Sequence, residues 1–271
     1  GTIATSNDAV VLGAVTLGSA TTIDTNASSD AADITVAAIT GGSNTLTLTT
    51  ENNVTGADVT ASGAIAGVTT LTLASVGGTA TLSADVDVTT LAVDNTVLNV
   101  AFTGNGSSVA NAVAFANDGT LTLGVNGGTQ TYNGGLNTAS VDGTVTLNGT
   151  VATSNDAVVL GAVTLGSATT IDTNASSDAA DITVAAITGG SNNLTLSTGD
   201  NITGADITAS GAISGLGDLT LADVGGTATF SNNVAAAALS AANTVANITF
   251  TGSTNTFSAA STLTNDGTLT F

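Results

Sequence analysis

Lysine, arginine, histidine, proline, cysteine, methionine and tryptophan are all missing from this chain of 271 residues, whose 20 acidic side chains give it a formal net charge of −20. Without a cation there is no salt bridge, no phosphate clamp and no cation–π contact. Nucleic acid and anionic membrane surfaces are therefore excluded as partners on charge. Without His, Cys or Lys, a Ser or Thr nucleophile has no base to activate it, and proton transfer near neutral pH is left to carboxylates. Zinc, haem and iron–sulfur sites lose their nitrogen and sulfur ligands. All-oxygen coordination survives, which points to Ca²⁺ before other metals. The fold is not held by disulfides. No apolar run approaches the roughly 18 residues that span a bilayer, so membrane insertion of this segment is not expected.

What is present argues for a folded chain. Hydrophobic residues make up 42%, charged residues 7%, and mean hydropathy is +0.43. Disorder goes with low hydrophobicity and high charge density. The apolar residues are small, with only six Phe and one Tyr, so a thin core is expected.

The chain is a tandem duplication. Residues 1–50 realign on 149–198 at an offset of 148 with three changes: Ile3/Val151, Thr45/Asn193 and Thr49/Ser197. The register then holds to the end: GADVTASGAIAG (56–67) recurs as GADITASGAISG (204–215), and NDGTLTL (117–123) as NDGTLTF (265–271). This defines repeat one (1–148) and a truncated repeat two (149–271). The expectation is one continuous structure without a linker, cut from a longer array. Beneath the long period runs a finer one. Strand-like cores recur at TLTLT (45–49), TTLTLA (69–74), TTLAV (89–93), GTLTLG (119–124) and GTVTLNG (143–149), about 20–25 residues apart or simple sums of that, as in solenoids.

Apolar residues alternate with Thr, Ser or Ala over four to six positions, the pattern of a half-buried strand. Gly, Asn and Asp cluster between these runs, where corners need left-handed backbone. SNNVAAAALSAAN (231–243) has helical propensity, but its counterpart SADVDVTTLAVDN (83–95) alternates, so both are read as strand. A coil of about 25 residues cannot bury a face alone, whereas stacked coils pair strand on strand and enclose a core. The expected fold is all-β, a right-handed parallel β-solenoid with coils of about 20–25 residues. A tandem β-sandwich array is the alternative, although no Trp, Cys pair or Pro-bearing turn favours it.

Strings such as GTLTLG, NNVTGADVTASGAIAG and GTATLSADVDVTTLAV resemble strand-repeat stretches of large bacterial surface proteins: filamentous-haemagglutinin-like adhesins, autotransporter passengers and surface-layer proteins. The resemblance is one of composition and period and carries over no functional residue. It implies a secreted β-helix at the bacterial cell surface, used in adhesion, coating or filament building. Its partners would be further copies of itself, or host or matrix glycans.

Candidate chemistry is confined to oxygen. Asp30 and Asp33, repeated as Asp178 and Asp181, lie in SSDAAD with Asp24 and Asp172 just upstream. They are candidate Ca²⁺ ligands, or else solvated corner residues; neither an EF-hand loop nor a GGxGxDxUx repeat is present. Asp85 and Asp87 would share an outward face, but their counterparts are Asn233 and Ala235. Thr-x-Thr at 45/47, 47/49, 70/72, 79/81, 120/122, 129/131 and 144/146 raises an ice- or glycan-binding face, against the plain reading that Thr suits exposed strands. A carboxylate-only polysaccharide hydrolase is the remote alternative, since such a cleft wants bulky aromatics that are scarce here. Sequons occur at Asn26, Asn53, Asn105, Asn148, Asn174, Asn193, Asn201 and Asn247, many of them expected by chance in such a composition. The reading favoured by the sequence is a non-catalytic structural or adhesive element.

Overall fold

A computed structural model describes residues 1–29, 32–51, 54–177, 179–199 and 202–271. Among them the chain forms short strands and no helix, and the strands pair in parallel from coil to coil: the fold is an all-β parallel β-solenoid. SNNVAAAALSAAN is strand over Val234–Ala241, as its alternating counterpart requires. Ala outside a helix is tolerated there because four of the eight residues, Val234, Ala236, Leu239 and Ala241, are buried.

The chain divides into two compact units. Unit 1 comprises residues 1–124 and 140–144, and unit 2 comprises 125–139 and 145–271. In unit 1 three files of inward residues run from coil to coil. One is Ile3, Ile23, Leu48, Leu73 and Val93; the second is Val10, Ile34, Val59, Ala80, Val100 and Leu121; the third is Val15, Ile39, Ile65 and Val86. Successive members are 20 to 26 residues apart, which is the coil length. Each coil therefore has three faces, and like residues stack on like because a parallel strand pairs with its successor in register.

Unit 2 is built the same way. Its files are Val151, Ile171, Leu196, Leu221, Ala241 and Leu263; Val158, Ile182, Ile207, Ala228, Ile248 and Leu269; and Val163, Ile187, Ile213 and Val234. Nearly all of these are buried, and Phe230 and Phe250 join them, stacked at 4.9 Å between ring centres; the exposed Phe271 stacks on Phe250 at 5.2 Å.

The long strands bend at glycine bulges. Gly67 and Gly215 have φ of +68° and +63°, and the register shifts at both places. At Gly63 and Gly211 the reason for glycine is different. A Cβ there would lie 2.2 and 2.0 Å from the carbonyl oxygens of Ala37 and Ala185 in the preceding coil.

Candidate functional site

Of the aspartates singled out by the sequence, Asp24, Asp33, Asp172 and Asp181 accept backbone N–H groups. Asp24 ends the strand Thr21–Asp24, and its Oδ1 accepts the Asn26 N–H at 2.8 Å; Asp172 accepts the Asn174 N–H at 3.0 Å. These are Asx turns that redirect the chain at a corner. Asp33 Oδ1 accepts the Asp58 N–H of the next coil at 2.9 Å, and Asp58 Oδ1 accepts the Thr79 N–H at 2.7 Å. Asp181 and Asp206 repeat this with the N–H groups of Asp206 at 2.8 Å and Thr227 at 2.6 Å. Asn99 and Asn247 continue the two series, accepting both the N–H and the hydroxyl of Thr120 and of Thr268. Each unit thus carries a column of side-chain oxygens that meets the N–H donors of the coil above, which would otherwise lack a strand partner.

Asp30 and Asp178, and the sequon residues Asn53 and Asn201, lie outside the described residues. Among the described residues no three of Asp and Glu come together as a group that could hold a metal ion.

A second corner shows how the duplication diverged. In unit 1 Asp85 Oδ1 accepts the Gly106 N–H at 2.7 Å, while Ser107 Oγ accepts the Val86 N–H at 3.1 Å. This is a reciprocal clamp between adjacent coils. In unit 2 both residues differ, yet the clamp persists: Asn233 Oδ1 accepts the Thr254 N–H at 2.9 Å, and Asn255 Oδ1 accepts the Val234 N–H at 3.0 Å. The bonding is kept and the charge is lost.

Shallow recesses break the surface among the described residues. One of about 190 Å³ lies among Val76, Gly77, Asn95, Thr96, Leu98 and Asp118 in unit 1. Its duplicate in unit 2, about 240 Å³, is lined by Gly225, Asn243, Thr244 and Asp266 with their neighbours. The third, about 320 Å³, sits in unit 1 beside the Gly67 bulge, with Asp87, Thr69 and Thr89 in its walls. Each has a single carboxylate in its lining. Two-carboxylate glycoside hydrolysis needs a second one about 5–9.5 Å away.

The threonines form columns. Thr2, Thr22, Thr47 and Thr72 stack in unit 1 and are followed by Ala92. Thr129, Thr150, Thr170, Thr195, Thr220, Ser240 and Thr262 stack in unit 2. Two-wide Thr-x-Thr rows are shorter. Thr45/Thr47 and Thr70/Thr72 sit on adjacent coils, the next coil offers Thr90 with Ala92, and Thr49 is buried at 7% exposure.

One pair escaped the sequence reading. Gln130 and Tyr132, two residues apart on the strand Thr129–Tyr132, both face inward and are almost fully buried, with the phenol donating to Gln130 Oε1 at 2.9 Å. Burial pushes the Tyr132 phenol well above its ordinary range. The signal in the sequence was alternation: TQTY carries the strand period with a polar residue where its neighbours in the file are apolar.

Among the described residues no helix is long and apolar enough to cross a membrane. No protein-family model, curated protein or solved structure matches the chain.

Proposed function

We propose that this chain is a non-catalytic structural element of an extracellular bacterial surface assembly, a filament, fibre or coat, in which repeated coils supply length and stiffness. The observation that carries this reading is the use made of the polar side chains. The duplicated candidate carboxylates among the described residues, Asp24, Asp33, Asp172 and Asp181, accept backbone N–H groups at corners or across coils. Side chains that would form a site in an enzyme here turn corners, as Asp24 and Asp172 do, or join coil to coil, as Asp33 and Asp181 do, and repeat two copies the arrangement. Duplication of such a surface adds reach, whereas duplication of a catalytic site would preserve a cleft. The resemblance to strand-repeat surface proteins supports the location, and neighbouring copies or surface glycans are the partners it suggests.

Immunogold electron microscopy of the producing cells tests the proposal. Label along filaments or a surface layer is the expected result. Label confined to the cell interior, or release of reducing sugar from polysaccharides by the purified chain, would overturn it.

A further inference from the structure

The surface of unit 2 distributes its charge unevenly. One face carries Asp172 and Asp218, and another carries Asp181 and Asp206. The third face is built on the segments that begin at Val145, Val163, Ile187, Ile213 and Val234 and on Thr256–Phe257. Its outward residues are Thr146, Thr164, Thr188 and Ser214 in one column and, past the register shift at Gly215, Ala235 and Thr256. Among the described residues this face has no carboxylate. In repeat one the positions equivalent to Asn233 and Ala235 are Asp85 and Asp87, and Asp87 is exposed. Repeat two has therefore lost both charges from one face while keeping the reciprocal clamp at Asn233 and Asn255.

We propose that this uncharged face of unit 2 is a lateral contact surface for a second copy of the chain, packed against the same face of its partner. The inference rests on the reading of the protein as a building element and names the surface by which copies meet. In a chain with a charge of −20 and no cation, any face that bears carboxylates repels its own kind at contact distance. The bare face alone among the three escapes this. Its alanines and short hydroxyl side chains let two sheets approach closely. Both copies present the same coil rise of about 4.8 Å, so their outward columns of Thr, Ser and Ala match in period. A face paired with itself has the two-fold symmetry of the commonest homodimers.

Six coils make a strip about 25 Å long and about 10 Å wide, or roughly 300 Å² with its margins, below the ~800 Å² per partner of a standard interface. The single contact is accordingly weak and gains strength where many repeats lie side by side.

Sedimentation equilibrium of the whole chain over a concentration series, at about physiological and at about 1 M salt, tests this. The native chain is expected to self-associate reversibly, and more strongly in high salt. The double variant Asn233→Asp/Ala235→Asp restores the residues with which repeat one folds, so circular dichroism should be unchanged. It is expected to weaken association about tenfold at physiological salt, a change of about 1.4 kcal/mol, with partial recovery at high salt. Asp218→Asn, on a different face, should leave the constant unchanged. A native chain that stays monomeric throughout, or a double variant that associates as tightly as the native chain, would refute the face assignment. The second outcome leaves the building-element reading standing, and the microscopy described above tests that reading separately.

Discussion

Gly63 and Gly211 are equivalent positions, one in each repeat, and their replacement by alanine puts the coil-stacking account at most risk. The new Cβ would sit 2.2 Å from the Ala37 carbonyl oxygen at Gly63 and 2.0 Å from the Ala185 carbonyl oxygen at Gly211. A carbon and a carbonyl oxygen need more than 3 Å, so the two coils must part locally by about 1 Å. The bonds in the way are well formed: Ser62 N–H to Val36 O and Ser210 N–H to Val184 O, both 3.0 Å. Losing one such bond costs about 1 kcal/mol, and overpacking against backbone costs about 1–3 kcal/mol more, so each substitution should destabilise by about 3 kcal/mol. The duplication supplies its own control. Gly13 and Gly161 occupy another matched pair of glycine corners, and a Cβ at Gly13 meets nothing within 4 Å while one at Gly161 meets only the ordinary 3.4 Å contact. Urea titration followed by far-ultraviolet circular dichroism should show a lower midpoint for Gly63→Ala and Gly211→Ala, with Gly13→Ala and Gly161→Ala within about 0.5 kcal/mol of the native chain. Equal midpoints for all four variants would refute close backbone approach as the reason for these glycines.

Glu51 has φ +51°, and its equivalent in repeat two is Gly199 at +74°; Glu51→Gly should raise stability by about 0.5–1 kcal/mol, and a lower urea midpoint would contradict the strain assigned to that corner. Because burial raises the Tyr132 phenol, the folded chain holds its proton while the unfolded chain releases it above about pH 10, so stability should be complete below that pH and fall above it. Tyr132→Phe should lose that alkaline decline, measured by urea midpoints across the pH range, at a cost of about 1 kcal/mol from the missing bond to Gln130. Since Asp24, Asp33, Asp172 and Asp181 accept backbone N–H bonds, millimolar calcium or a chelator should move the melting temperature by less than about 1 °C, and a rise with calcium concentration would show a bound ion.

The candidate site was legible only in part. SSDAAD and its copy stand out in the sequence because acid is the only charge there is, yet Asp33 and Asp58 are joined by a bond between residues 25 apart. No local spacing rule contains that bond, since it depends on the length of a coil. The clamp at Asp85 and Ser107 is harder still to read. Aligning the repeats gives Asn233 and Asn255, which look like two unrelated substitutions until the coils are stacked and each oxygen meets an N–H of its neighbour.

By itself the sequence determined the class of structure. Alternation of small apolar residues with Thr and Ser, glycine-rich corners, a fine period of 20 to 25 residues and a 148-residue duplication leave a parallel solenoid as the way to bury one side of every strand. It also excluded every chemistry that needs a cationic side chain, an imidazole or a thiol. Only the tertiary structure decided which glycines are obligatory, which carboxylates tie coils together, and which of the three faces of unit 2 bears no carboxylate among the described residues. The physical reason is that the coil is not of constant length. Steps of 20, 21, 25 and 26 residues occur within one unit, so a residue's neighbours above and below are set by the register of pairing and not by any fixed interval along the chain.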